Sequence, residues 1–124
     1  MKDLARQRYD EACAHDRAGR IEPAVACYEE ALAQGLPEPY RAQALLGLGF
    51  SYSRLLRHTD ATAVLGAAID EYPEDQALRM FHALALWSAG REREAMQAMG
   101  RLALDTADLR GLRRSAASTI DHLE

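Results

Sequence analysis

The chain holds 124 residues with a formal net charge of −4, 48% hydrophobic and 27% charged. That composition fits one globular domain and excludes a disordered or fibrous chain. No run approaches the roughly 18 apolar residues of a membrane helix, and mild acidity argues against a general nucleic-acid partner. The opening Met1-Lys2-Asp3-Leu4-Ala5-Arg6 lacks the apolar centre of a secretory signal. A soluble, cytoplasmic protein is therefore expected, with neither membrane nor nucleic acid as partner.

Alanine and leucine make up about a third of the chain, and both favour helix. Strict period-two alternation and the Asn-Gly or Asp-Gly signals of hairpins are absent, so the predicted fold class is all-α. Punctuation divides the chain into seven segments. Gly19-Arg20 ends the first helix, and Pro23 falls in the first turn of the second, where its missing N–H costs nothing. The second ends at Gly35, before Leu36-Pro37-Glu38-Pro39, the longest break, and the third runs from about Pro39 to Leu56. Thr59 or Asp60 is predicted to cap the fourth, which stops at Tyr72-Pro73 because the residue before proline avoids helical geometry. Asp75 caps the fifth, which ends at Gly90; the sixth runs from about Arg91 to Asp105, and Thr106 caps a seventh. Helices of about 14–18 residues are expected between these breaks.

Little in the chain points to catalysis. Cys13 and Cys27 are too few and too widely spaced for a disulfide framework or a zinc knuckle, and read as reduced thiols packed in helices. His15-Asp16, His58-Thr59-Asp60 and Asp121-His122 pair histidine with carboxylate only as sequence neighbours, which do not face each other on a helix. His58 falls in a turn and is expected to be solvated, whereas His82, beside Phe81, reads as packing or surface. Gly47-Leu48-Gly49 lacks the preceding strand, the third glycine and the Lys-Ser/Thr of a phosphate loop. Ser51 and Ser53 have no glycine elbow and no activating histidine. No metal-ligand spacing occurs, so no metal, no cofactor and no enzymatic activity are expected. Arg110, Arg113 and Arg114, with Arg101 nearby, form a basic cluster that reads as a solvated face, with docking of an acidic segment as the functional alternative.

Internal repetition is the strongest signal. One form recurs three times: a small residue, a large slot three later, a turn, then Ala-x3-large-x2-small. The first copy carries Ala12, His15, Gly19, Ala24, Tyr28 and Ala31. The second carries Leu45, Leu48, Gly49, Tyr52, Ala61, Leu65, Ala68 and Pro73, and the third Ala83, Leu86, Gly90, Ala95, Met99 and Leu102. The marker alanine of the second helix stands at 24, 61 and 95, spacings of 37 and 34 residues. The three extra residues fall in the Leu36–Pro39 loop, where insertion is best tolerated. Small residues at Ala12, Gly49 and Ala83, facing Ala24, Ala61 and Ala95, permit close helix approach; Tyr28, Tyr52, Leu65, Leu86 and Met99 then fill the space between pairs.

A 34-residue helix-turn-helix period resembles the tetratricopeptide repeat family. The resemblance covers about residues 5 to 105. It is good in the second copy and departs at Arg79 in the third and at Arg8, Glu11 and His15 in the first. It implies a single domain over 1–124: a right-handed α-solenoid of three antiparallel helix pairs, with repeats at about 5–36, 41–74 and 75–106. Leu109, Leu112, Ala116, Ile120 and Leu123 share one face of the seventh helix (about 107–122), which resembles the solvating helix that caps such arrays.

The resemblance also implies a function, a non-catalytic module that binds a peptide or helix of a protein partner along the concave surface lined by the first helix of each pair. Carried onto this chain, the inward positions are Arg6, Tyr9, Asp10, Cys13 and Arg17, then Gln43, Leu46, Phe50, Ser53 and Arg54, then Met80, Phe81, Leu84 and Trp87. Phe50, Phe81, Leu84 and Trp87 would form an apolar patch, with Phe50 and Trp87 as anchors and Arg17 and Arg54 orienting the partner. The lysine, asparagine and arginine clamp with which some relatives grip a chaperone's C-terminal carboxylate is absent, because Tyr9, Cys13, Gly47, Ala77 and Phe81 stand there. An apolar peptide or amphipathic helix is the expected ligand. The competing reading is burial of the same surface in a homodimer, and a small enzyme is the remote third.

Overall fold

The computed structural model describes residues 3–106. Among them are six helices and no strand: α1 (Leu4–Arg17), α2 (Ile21–Ala33), α3 (Tyr40–Arg54), α4 (His58–Glu71), α5 (Gln76–Ser88) and α6 (Glu92–Thr106). The predicted seventh helix and the arginines at 110, 113 and 114 lie outside the described residues. Thr106, expected to cap that helix, is the last described residue of α6, and its hydroxyl donates to the Leu102 carbonyl at 2.8 Å. Each helix packs on the next in chain order, and α3 also touches α1 and α5. None is long and apolar enough to cross a membrane.

Local chemistry sets the boundaries. The Asp3 carboxylate accepts from Ala5 N–H at the start of α1, and Asp75 accepts from Leu78 N–H at 3.0 Å to open α5 as expected. The cap expected at Thr59 or Asp60 is not used: α4 begins at His58, after Arg57. The preceding turn is the reason. Arg57 N–H returns to the Tyr52 carbonyl at 2.9 Å and Leu56 N–H to the Ser53 carbonyl at 3.0 Å. That closes α3 in a Schellman motif and lets the next helix start at once. Asp60 then sits in the first turn, 2.8 Å from Arg57. Gly19 and Gly90 close α1 and α5 in the same way, at φ 77° and 80°, and Leu56 does so at 61°. Between these tight turns α1, α3, α4 and α6 run 14 or 15 residues, at the short end of the expected 14–18, and α2 and α5 run 13.

The core is built from the expected small residues. Ala12, Ala24, Ala61, Ala83 and Ala95 are buried, together with Tyr28, Tyr52, Leu65, Leu78 and Leu86. Gly49 is required by close approach, since a Cβ there would lie 2.5 Å from the Leu65 side chain. Gly47 makes room in the same way for the Tyr28 ring, 2.6 Å from where its Cβ would stand. Met99, expected to fill space between pairs, is instead exposed, lining an open hollow between α5 and α6. The charges in apolar slots are neutralised locally: Arg8 lies 2.7 Å from Glu11 and 2.9 Å from Glu30, and Arg79 2.7 Å from Asp105.

Candidate functional site

The first helices α1, α3 and α5 supply the predicted site residues. Tyr9 on α1 donates its hydroxyl to Gln43 Oε1 on α3 at 2.7 Å, and its ring lies 5.6 Å from that of Tyr40 and 6.3 Å from that of Tyr28. The Arg6 guanidinium sits 3.8 Å over the Tyr40 ring and pairs with Asp10 at 3.1 Å. Burial, then the neighbouring Cys13 thiol, pushes the Tyr9 phenol up to about 12, so it stays a neutral donor at physiological pH. Tyr28 closes the arrangement from below, donating to Asp16 at 3.0 Å.

Phe50 on α3 meets Phe81 on α5 edge to face, with centroids 5.5 Å apart and planes at 79°. That geometry brings the positive ring edge of one to the negative face of the other. Gln43, Leu46, Gly47, Phe50 and Phe81 line a hollow of about 230 Å³, mainly apolar in its surface. Phe50 is 40% exposed at its rim, with the Arg54 guanidinium 5.7 Å from its ring centroid and 4.0 Å from Asp16. Gly47 lines the hollow on one side and leaves room for the Tyr28 ring on the other, since a Cβ there would stand 2.6 Å from that ring.

The ten predicted partner-binding residues therefore separate. Gln43, Leu46, Phe50 and Phe81 share this hollow, and Tyr9 and Arg54 border it through Gln43 and Phe50. Leu84 and Trp87, further along α5, open onto a second hollow shared with α6, of about 360 Å³. Met80 is exposed outside both linings, and Arg17 is exposed in the last turn of α1. Sequence reasoning missed Tyr40, although it stands three residues before Gln43 on the same helix face. It also missed Met96, which lines the second hollow and repeats the register of Thr62.

Among the described residues the histidines offer no oriented acid–base pair. His15 Nδ1 accepts from Arg20 Nε at 3.0 Å, and the two half-buried cysteines are free. His58, expected to be solvated in a turn, is the first residue of α4, and its Nδ1 is buried without a hydrogen-bond partner. The tight α3–α4 turn leaves the residue half-buried rather than fully solvated. His82 Nδ1 is likewise without a partner, beside a hollow of about 280 Å³ that it shares with Arg79, Glu94 and Arg101. Burial, then the Arg91 charge, holds the His82 imidazole below its usual range. Among the described residues, no three His, Cys, Asp or Glu side chains converge as metal ligands.

A model of the Tetratrico peptide repeat family matches residues 5–123. No curated protein matches the chain. Members of that family typically mediate protein–protein interaction and are generally non-catalytic. With six helices in consecutive contact and a family match over nearly its whole length, the chain belongs to the tetratricopeptide repeat family.

Proposed function

We propose that this chain is a cytoplasmic, non-catalytic interaction module. In this reading three helix pairs (residues 5–36, 41–74 and 75–106) wind right-handed as one domain, and α1, α3 and α5 line its concave side. The ligand is an apolar peptide segment or amphipathic helix of a protein partner. Its anchor enters the hollow at Gln43, Leu46, Phe50 and Phe81 while Tyr9, Gln43 and Arg54 offer polar contacts at the edges. The observation that carries the reading is the exposed Phe50 packed edge to face on half-buried Phe81 at the mouth of an apolar hollow. Solvent-facing aromatic anchors beside a pocket are the usual centre of a binding surface.

The test is affinity capture from source-cell lysate, comparing the wild-type chain with a Phe50→Ala variant shown to be folded. A partner held by the wild type and lost by the variant is the expected result. Equal retention by both would overturn the groove assignment, and recovery of the chain alone would replace the reading with self-association.

A further inference from the structure

The hollow of about 280 Å³ beside His82 shares no lining residue with the one at Phe50 and Phe81. It lies where the preceding repeat holds apolar side chains. Leu45, Leu48 and Tyr52 of α3 are buried, and thirty-four residues later the same register on α5 reads Arg79, His82 and Leu86. On the second helix of the pair, Ala63 and Ala67 of α4 are matched by Gln97 and Arg101 of α6. Two leucines and two alanines are thus replaced by groups that offer hydrogen bonds, and a leucine stands where a tyrosine filled the space.

The first repeat shows what a charge at these positions requires. Arg8, Glu11 and Glu30 stand thirty-seven residues before Leu45, Leu48 and Ala67. There the arginine lies 2.7 Å from Glu11 and 2.9 Å from Glu30. The third repeat keeps the arginine, as Arg79, but carries His82 and Arg101 where those two carboxylates stand. The Arg79 side chain is only 18% exposed, and its partner Asp105, at 2.7 Å, is no part of the hollow's lining. Among the described residues, no carboxylate lies within ion-pair distance of Arg101, and Glu94 in the lining is engaged by Arg91 at 2.5 Å. His82 Nδ1 is buried with no hydrogen-bond partner. Ile69, Leu86 and Ala98 supply an apolar wall.

We propose that this hollow binds a small free carboxylate. Its oxygens accept from Arg79 and Arg101, as Glu11 and Glu30 accept from Arg8, and its short aliphatic tail lies against Leu86, Ile69 and Ala98. Guanidinium and carboxylate match in shape as well as charge. Burial keeps the His82 imidazole below its usual range, so it enters as a neutral group and the charge match rests on the two arginines. An inorganic anion would leave the apolar wall uncovered, which favours an organic acid. The site is independent of the partner groove, since Phe50→Ala leaves its lining untouched.

Valerate is the probe, titrated into the full-length chain at pH 7.5 and constant ionic strength, with binding read from the His82 ring resonances and by calorimetry. The expected result is a saturable shift whose Kd rises about tenfold in Arg101→Gln. Arg93→Gln, at an exposed arginine of α6 outside the lining, should leave that Kd unchanged. Should Arg101→Gln fail to fold, valeramide on the wild-type chain decides, and the neutral amide should bind at least several-fold more weakly than the acid. Absence of saturation, equal affinity for valeramide, or an unchanged Kd in folded Arg101→Gln would each overturn the proposal. Saturation by phosphate but not by valerate would replace the organic acid with an inorganic anion. Saturation by N-acetylglutamate amide alone would replace it with the acidic side chain of a protein.

Discussion

Gly49 and Leu65 are fitted to each other: the missing Cβ of the glycine would stand 2.5 Å from both Cγ and Cδ2 of the leucine, which is fully buried and has nowhere to move. Gly49→Ala gains helix propensity of about 1 kcal/mol but forces a clash at a close-packed point, where overpacking costs about 1–3 kcal/mol. The expected net outcome is destabilisation. Gly100, on α6, has nothing within 4 Å of its virtual Cβ, so Gly100→Ala should stabilise by up to about 1 kcal/mol. Urea unfolding of the two variants should move in opposite directions.

Leu56 occupies the left-handed closing position that glycine fills after α1 and α5, with φ at 61° and its side chain 74% exposed. An L-residue there carries roughly 1–2 kcal/mol of steric cost, and little burial offsets it. Leu56→Gly should therefore raise stability by about 1 kcal/mol, less the backbone entropy of an added glycine. Thermal melting checks it, and an unchanged or lower midpoint would show that the leucine is held by more than its backbone.

His82 gives the fold an acid-side weakness. Its imidazole is depressed first by burial and then by Arg91, against the opposing charges of Asp70 and Glu94. The unfolded chain, with an ordinary histidine near 6.5, takes up the proton first as pH falls. Stability is therefore unaffected above about pH 7, and declines as pH falls from the unfolded value toward the lower folded one. Chemical unfolding from pH 7.5 to 5.5 should show a smaller decline for His82→Leu than for the wild type.

On the alkaline side, Tyr52 donates to Glu29 at 2.5 Å, and burial, then that carboxylate, pushes its phenol up to about 12. The neutral phenol is favoured in the folded chain, so this contribution is complete below about pH 10 and disappears as pH rises through about 12. Tyr52→Phe should cost about 1 kcal/mol at neutral pH through the lost hydrogen bond, and should flatten the stability curve above pH 10. Tyr9 and Tyr72 are also raised to about 12, so part of the alkaline slope should survive.

What was legible in the sequence was whatever depends on near neighbours or on exact repetition. Asp75 announced its cap because the bond it makes spans three residues, and the alanines at 24, 61 and 95 announced close approach because they recur in register. Leu56 was opaque: a leucine carries no sign of a left-handed backbone, and only alignment with Gly19 and Gly90 reveals it. Arg8 in an apolar slot looked like a flaw until Glu30 on the next helix stood beside it. The groove was legible along each helix but not across helices. Register put Phe50 and Trp87 on one surface, whereas the cross-helix packing that places Phe50 with Phe81 and Trp87 with Met96 is a property of three dimensions.

Helix α3 lies against α1, α2, α4 and α5. It behaves as a keystone between two half-arches: fraying that starts at α1 or at α6 reaches it only after the outer contacts have gone, and loss of α3 leaves neither side a support. Opening should therefore proceed inward from both ends, and the slowest amide exchange in the described chain belongs to the buried turns of α3 around Ala44, Leu48 and Ser51.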